Sequence, residues 1–283
     1  METFFIVMRE SLEASLLVGI LLSSVKKAGR PGDRRFVIAG VLSALLLCIG
    51  VLIGSEDLAP LLSGPFRTRL DIVIFFLAAF FLTTMVVWMR YQGKSLSGRL
   101  SARVGLILER GNHSALFLLA FIGVFREGLE TILFLWGVFS QSGQGPESAQ
   151  VLGGFLGLGA GVGLVVLLFT GLVRVPIGLF FSATSLLLIL FAAGMISAGV
   201  GRLVTIGVLP PLVSQVWDTS HILNEHNLMG GFMADFFGYR ARPSLIVVLT
   251  TFSYMILMTG WWLWSQKDRL AAARRFLLSS KHS

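Results

Sequence analysis

The sequence predicts an all-α, polytopic membrane protein of seven transmembrane helices, and three observations carry that expectation. Apolar runs long enough to span a bilayer, about eighteen residues or more each, recur along the 283-residue chain. The composition agrees: 55% of residues are hydrophobic, 13% are charged, and the mean hydropathy is +0.82. The third observation is a charged pattern, R-E-x-L-E, that occurs twice inside such runs, as Arg9-Glu10-Ser11-Leu12-Glu13 and as Arg126-Glu127-Gly128-Leu129-Glu130. No soluble domain of any size fits between the runs.

Taken in order, the spans fall at about 3–25, 36–54, 69–90, 114–140, 149–172, 178–199 and 243–264. The first begins Met1-Glu2, lacks a basic leader and carries charges in its apolar run, so it reads as a retained span rather than a signal peptide. The second holds Cys48, the single cysteine, which excludes a disulfide framework and a cysteine-based metal site. Between spans three and four, "YQGKSLSGRLSARVGLILERGNHS" is basic and partly amphipathic. "GGFLGLGAGVGL" in span five suits close helix packing or a homo-oligomer contact. Trp261, Trp262 and Trp264 close span seven where an interfacial aromatic belt belongs. The chain is thus expected to be one permease domain. Its parts are a first repeat at about 1–110, a second at about 111–200, an outer loop at about 200–242, a last helix and a cytoplasmic tail at 265–283.

The net charge of +8 does not point to nucleic acid, because the basic residues sit in short loops between apolar runs. Sixteen Lys and Arg fall on one side of the predicted membrane and five on the other. The bias of basic residues toward cytoplasmic loops then places the N-terminus outside and the C-terminus inside. Arg9 and Arg126 belong to neither side; they lie within spans one and four. Those spans run in opposite directions, so a duplicated three-span unit is inverted, with one further helix at the C-terminus. Inverted repeats with a midplane site are a recurrent transporter design.

On a helix, Arg9, Glu10 and Glu13 share one side, as do Arg126, Glu127 and Glu130. Each charge at a helix centre costs about 2.5–3.5 kcal/mol to insert, so two such clusters mark a functional site rather than ballast. Two guanidinia against four carboxylates leave about −2, which attracts a cation. Carboxylate oxygens are hard donors, and no intramembrane His or Cys pair accompanies them, so Fe³⁺, Mn²⁺, Mg²⁺ or Ca²⁺ fit better than a soft metal. The expected ligands are Glu10, Glu13, Glu127 and Glu130, with Arg9 and Arg126 pairing and orienting them.

"RESLE" in the first span and "REGLE" in the fourth resemble the R-E-x-x-E signature of the oxidase-dependent iron permease family, whose fungal and bacterial members place it in spans one and four of seven. "TTMVVWMRY" and "VWDTSHILNEHNLMGGFMADFFGYRARPS" are similar to the bacterial members, so the likeness covers nearly the whole chain. The resemblance implies inward movement of iron across a bacterial inner membrane, taken as Fe³⁺ after oxidation by a ferroxidase or periplasmic iron-binding partner. Iron is then the transported substrate, with no tightly bound cofactor. An inside-negative potential favours entry of a triply charged ion by about 7 kcal/mol per 100 mV.

The outer loop offers Asp218, His221, Glu225, His226 and Asp235 as a place where metal is received, although "NEHN" stands where a paired-acid motif is expected. Asp71 is expected to cap span three or to pair with Arg67 or Arg69, and Met85, Trp88 and Met89 to serve packing. The rivals are a transporter of another metal such as Mn²⁺ or Pb²⁺, and a cation or proton channel using the same carboxylates. A retinal protein is excluded because every lysine lies in a loop or the tail, and an H-E-x-x-H metalloprotease because the motif is missing. Nothing resembles a nucleotide-binding loop, and no enzymatic activity is expected.

Overall fold

The computed structural model describes residues 2–58, 65–92, 96–142, 148–170, 177–223 and 228–279, at several helix ends by backbone alone. Among the described residues the regular structure is helical with no strand, in the order α1 (Glu2–Lys27), a 3-10 turn (Pro31–Asp33), α2 (Arg34–Leu58), α3 (Pro65–Gln92), α4 (Leu96–Glu109), α5 (His113–Ser142), α6 (Ser148–Phe169), α7 (Ile177–Thr205), α8 (Leu228–Phe237) and α9 (Leu245–Ser279). Five of them, within 31–54, 66–87, 148–169, 184–205 and 245–265, are long and apolar enough to cross a membrane. The 26-residue α1 and 30-residue α5 are also long enough, about 39 and 45 Å, but each carries the motif's charges in its length.

The chain divides into two units, Met1–Thr184 and Ser185–Ser283. In the first, α1 lies against α5 and α6, while α2 and α3 lie against α5. The surface turned away from these contacts is apolar. Leu42, Leu46, Ile49 and Ile53 of α2 are exposed, as are Leu152, Phe155 and Leu156 of α6, which is the pattern of a surface bathed in lipid. Packed faces are built from small residues. A Cβ on Gly40 would stand 2.5 Å from the Phe117 carbonyl, and one on Gly161 would stand 2.5 Å from the Met8 carbonyl, so α2–α5 and α6–α1 approach to backbone contact.

The two contacts are built alike. Cys48 of α2 sits against the space left by Gly128, with Sγ directed at the Phe125 carbonyl at 4.0 Å. In α1 the Ser11 hydroxyl fills the space left by Gly161 and donates to the Met8 carbonyl at 3.1 Å. Ser11 and Gly128 are the variable residues of the two motifs, and Met8 and Phe125 are the residues that precede them. The side chain comes from the motif helix in one contact and from its neighbour in the other, and both serve the equivalent carbonyl.

The basic stretch before span four folds as α4, with Val104 and Leu108 buried beside Leu21, Val25, Val37 and Leu116. Gly111, at φ 63°, ends that helix in a conformation that favours glycine. Its N–H reaches the Leu108 carbonyl and that of Asn112 reaches the Ile107 carbonyl. Asn112 then starts α5, accepting the Ala115 N–H on its side-chain oxygen at 3.0 Å. Two further interactions hold the junction: Arg30 donates to the Leu108 carbonyl at 2.7 Å, and His113 pairs with Asp33 at 3.3 Å. The motif helix α5 therefore has a fixed start.

In the second unit, backbone bonds Leu245–Val213, Val216–Pro243 and Thr219–Ala241 clasp the loop after α7 to the chain entering α9. Tyr239 reinforces the clasp through Thr219 and the Leu223 carbonyl, and Trp217 donates to the Arg240 carbonyl. The helix α8 lies inside the expected outer loop, and α9 continues past the expected end of span seven to Ser279. At ten residues α8 is too short to cross a membrane, and the end of α9 is rich in helix formers but carries charges through its length, so a search for spans passes over both.

Candidate functional site

The helical spacing places the charges of each motif on one side, and the structure turns the two sides toward each other. In α1, Arg9 reaches Glu10 at 2.5 Å and Glu13 at 2.7 Å. In α5, Arg126 pairs with Glu127 and, at 3.5 Å, with Glu130. One ligand oxygen each from Glu10, Glu127 and Glu130 lies within 4.8 Å of the others. Two bonds of about 2.1 Å span at most about 4.2 Å, so a small closure would place all three around one hard cation. Glu10 Oε2 and Glu127 Oε2 are buried without a hydrogen-bond partner. Buried carboxylate oxygens left in this way hold acceptor capacity for a cation.

The structure separates the four predicted glutamates. Glu10, Glu127 and Glu130 converge, while Glu13 stays outside that group and serves Arg9. It also separates the arginines: Arg9 is 2% exposed and Arg126 47%. A charged side chain inside a membrane span faces the bundle interior or water. Arg126 and Glu130 border a cavity of about 340 Å³ whose surface is almost wholly apolar, lined by Ile74 and Phe81 of α3 and by Leu129, Leu133 and Trp136 of α5, among others.

Asp71 is where the sequence reading needs correcting. Instead of capping α3, its carboxylate is buried, 6% exposed, and accepts the Ser140 hydroxyl of α5 at 3.2 Å. The available signal was an acid inside "RLDIVIFFL", but its partner lies 69 residues away. Met85 is buried, in keeping with a packing role. Trp88 and Met89 have no described side chains.

The outer-loop candidates do not form a metal group among the described residues. Asp218 accepts the Ser220 hydroxyl at 2.6 Å and the Ser220 N–H at 3.0 Å, and pairs with Arg242 at 2.9 Å. These contacts, the Ser220 hydroxyl first, hold its carboxyl well below the usual Asp range. His221 is exposed beside it, Glu225 and His226 lie outside the described residues, and Asp235 is placed only by its position in α8.

Comparison with known proteins decides the family. The model of the iron permease FTR1 family matches residues 1–264. The chain belongs to the iron permease FTR1 family. A ferrous iron permease EfeU of Escherichia coli O6:K15:H31 (strain 536) is 34% identical over 256 residues, covering 89% of this chain and 91% of that protein. The ferrous iron permease EfeU of Yersinia pestis is 30% identical over 256 residues, covering 89% of each. No solved structure matches the chain. The FTR1 family assignment agrees with the resemblance carried by the two motifs, and with an all-helical chain bearing several membrane-spanning candidates.

Proposed function

We propose that this FTR1-family chain carries iron inward across a bacterial inner membrane through the site formed by Glu10, Glu127 and Glu130. The observation that carries the reading is the convergence of those three carboxylates from two helices, with two buried oxygens lacking hydrogen-bond partners. Oxygen-only ligation suits a hard cation. The arginines keep the empty site from accumulating uncompensated negative charge and compete with the ion for the same oxygens, which favours release.

Seven spans follow if α1 and α5 cross the membrane with the five apolar helices, their charges paired and turned inward. The matched contacts of Ser11 with Gly161 and of Cys48 with Gly128 support an inverted repeat, because motif-equivalent positions meet equivalent neighbours. The N-out orientation rests on the distribution of Lys and Arg.

The translocated species is Fe³⁺, supplied by an oxidising partner, on the grounds of donor hardness. A second reading, Fe²⁺ as the species carried, is favoured by the printed names of the relatives and by the site's formal charge of about −2. Radio-iron uptake into proteoliposomes under an inside-negative potential, with Fe²⁺ or chelated Fe³⁺, separates the two. The expected result is potential-dependent uptake in the parent and none in Glu127→Gln. Uptake at the parental rate in Glu127→Gln refutes the site. Inhibition by Mn²⁺ or Pb²⁺ in preference to iron points to a different metal, and current without iron points to a channel.

A further inference from the structure

We propose that the chain between α7 and α9 is re-entrant: it dips into the membrane from the face where α7 ends and α9 begins, and lines a water-filled vestibule by which the hydrated cation approaches. The cation's use of the vestibule rests on the proposed transport; the vestibule itself does not.

The depth comes from Gly238. The apolar span of α7 ends at Thr205 and that of α9 begins at Leu245, so these two residues mark one face of the membrane. In the proposed N-out orientation that face is the outer one. Gly238 lies well below it. A Cβ on Gly238 would stand 3.1 Å from Thr251 Cγ2 and 3.2 Å from both the Ala193 carbonyl and Ser197 Cβ. Its own carbonyl accepts the Ser197 hydroxyl at 3.0 Å. Thr251 is six residues inside α9 and Ser197 eight residues inside α7, about 9 and 12 Å from those helix ends. That is roughly a third of the way across a hydrocarbon core of about 30 Å. The chain turns there at φ 64°, a conformation that favours glycine. The ten-residue α8 leads into this turn; it is apolar but for Asp235, and its length is that of a re-entrant segment.

The loop after α7 is fastened to the same descent. From the Leu245–Val213 pair at the face, the bonds Val216–Pro243 and Thr219–Ala241 step inward to Tyr239, whose hydroxyl meets Thr219 and donates to the Leu223 carbonyl. Irregular backbone at membrane depth is tolerated where it is buried in protein or lines water. Both conditions are met. On one side the backbone is satisfied from within: Ser197 serves the Gly238 carbonyl, Trp217 that of Arg240, and the Thr219 and Val216 N–H groups those of Ala241 and Pro243. Ala241, Pro243 and Ser244 are buried there. The exposed side chains are of two kinds. Val213, Val216 and Ile222 are apolar, which a loop standing in water has no need of and a segment at membrane depth does. Asp218, His221 and Arg242 are polar, and the Asp218–Arg242 pair is exposed, so at this depth it faces water.

The test uses the full-length protein in sealed vesicles, with Cys48→Ser as the background. His221→Cys and Ser220→Cys place thiols in the vestibule, Val208→Cys places one on the exposed chain just past α7, and Leu257→Cys places one on the exposed apolar side of α9. Two membrane-impermeant reagents are applied from each side in turn: a small cationic methanethiosulfonate, and a maleimide carrying a long polyethylene glycol chain. Both are expected to label Val208→Cys from the outer side, and neither to label Leu257→Cys. The vestibule thiols are expected to take the small reagent from the outer side and to exclude the long one. Labelling of His221→Cys by the long reagent means that the loop stands clear of the membrane and overturns the proposal. So does a vestibule thiol that takes neither reagent, or that is labelled only from the inner side. Cationic modification of His221→Cys is expected to lower radio-iron uptake relative to the same variant unmodified, as a fixed positive charge on the path of a cation would. Uptake unchanged by that modification overturns the cation's use of the vestibule. Glu127→Gln keeps the two readings apart: it is expected to transport nothing and to show the same labelling pattern. If it transports, the carboxylate site is wrong, and the labelling still decides the vestibule.

Discussion

The variable residue of each motif is set by the helix it rests on, and exchanging it tests that packing directly. Gly128→Ser would give the second motif the sequence of the first. The new Cβ would fall on Cys48 Sγ and within 3.4 Å of Cys48 Cβ, where real side chains need ordinary van der Waals separation. Either Cys48 leaves its rotamer or α2 moves off α5, and overpacking of this size costs about 1–3 kcal/mol. Cys48→Gly removes the obstacle and recreates the arrangement of Gly161 against Ser11, in which the motif's own hydroxyl serves the preceding carbonyl. The double variant Gly128→Ser/Cys48→Gly is therefore expected to recover most of the loss. A double-mutant cycle on thermal unfolding of the detergent-solubilised protein reads the coupling, expected at about 1–2 kcal/mol in favour of the pair. Iron uptake follows the same order, because Gly128 lies between Glu127 and Glu130. Gly128→Ser as stable as the parent, or no recovery in the double variant, refutes the account.

Other outcomes follow from the same geometry. Glu10→Gln and Glu130→Gln are expected to weaken iron binding by the solubilised protein about a hundredfold or more, and Glu13→Gln by about tenfold at most, since Glu13 acts through Arg9; equal losses in isothermal titration would contradict the separation. Arg9→Gln leaves two buried carboxylates without their cation and is expected to cost about 3–5 kcal/mol in unfolding, more than Arg126→Gln, whose site borders the cavity. The depressed pKa of Asp218 means that its pairing contributes to the clasp above the unfolded Asp value, near about 4, and is lost only as pH falls through the lower folded value. Trp217 emission, taken as the difference from Trp217→Phe, should therefore stay constant between about pH 5 and 8. A transition within that window would place another group in control.

How much could be read in advance depended on whether a feature is local. Seven apolar runs and two five-residue motifs are short-range patterns, and the helices that hold them fall within a few residues of expectation at every span start. The 3.6-residue period placed Arg9, Glu10 and Glu13 on one side without any knowledge of their neighbours. The grouping of Glu10 with Glu127 and Glu130, and the exclusion of Glu13, depends on how far α1 is rotated and displaced against α5. The close contact of Gly123 of α5 with Leu17 of α1 bears on that, as do the contacts of Gly157 and Gly161 that seat α1 against α6, and no local pattern encodes them. Asp71 was assigned to its own helix end because only local partners are visible in a sequence. The amphipathic α4 was half legible: its character was plain, but its burial of Val104 and Leu108 against α1 and its neighbours was not.

The pairing of each arginine with carboxylates in its own helix has a consequence for biosynthesis. The helix α1 is made before α5 and α6, and more than a hundred residues must follow it before both exist to cover it. During that wait Arg9 already neutralises part of its charge through Glu10 and Glu13, one and four residues away, so nothing from another helix is needed. If α1 crosses the membrane, as the proposed seven-span reading has it, the nascent motif would carry about one net negative charge instead of three separate ions, within reach of what an apolar helix of this length can tolerate. On that reading the motif makes its helix insertable before the fold exists to shelter it.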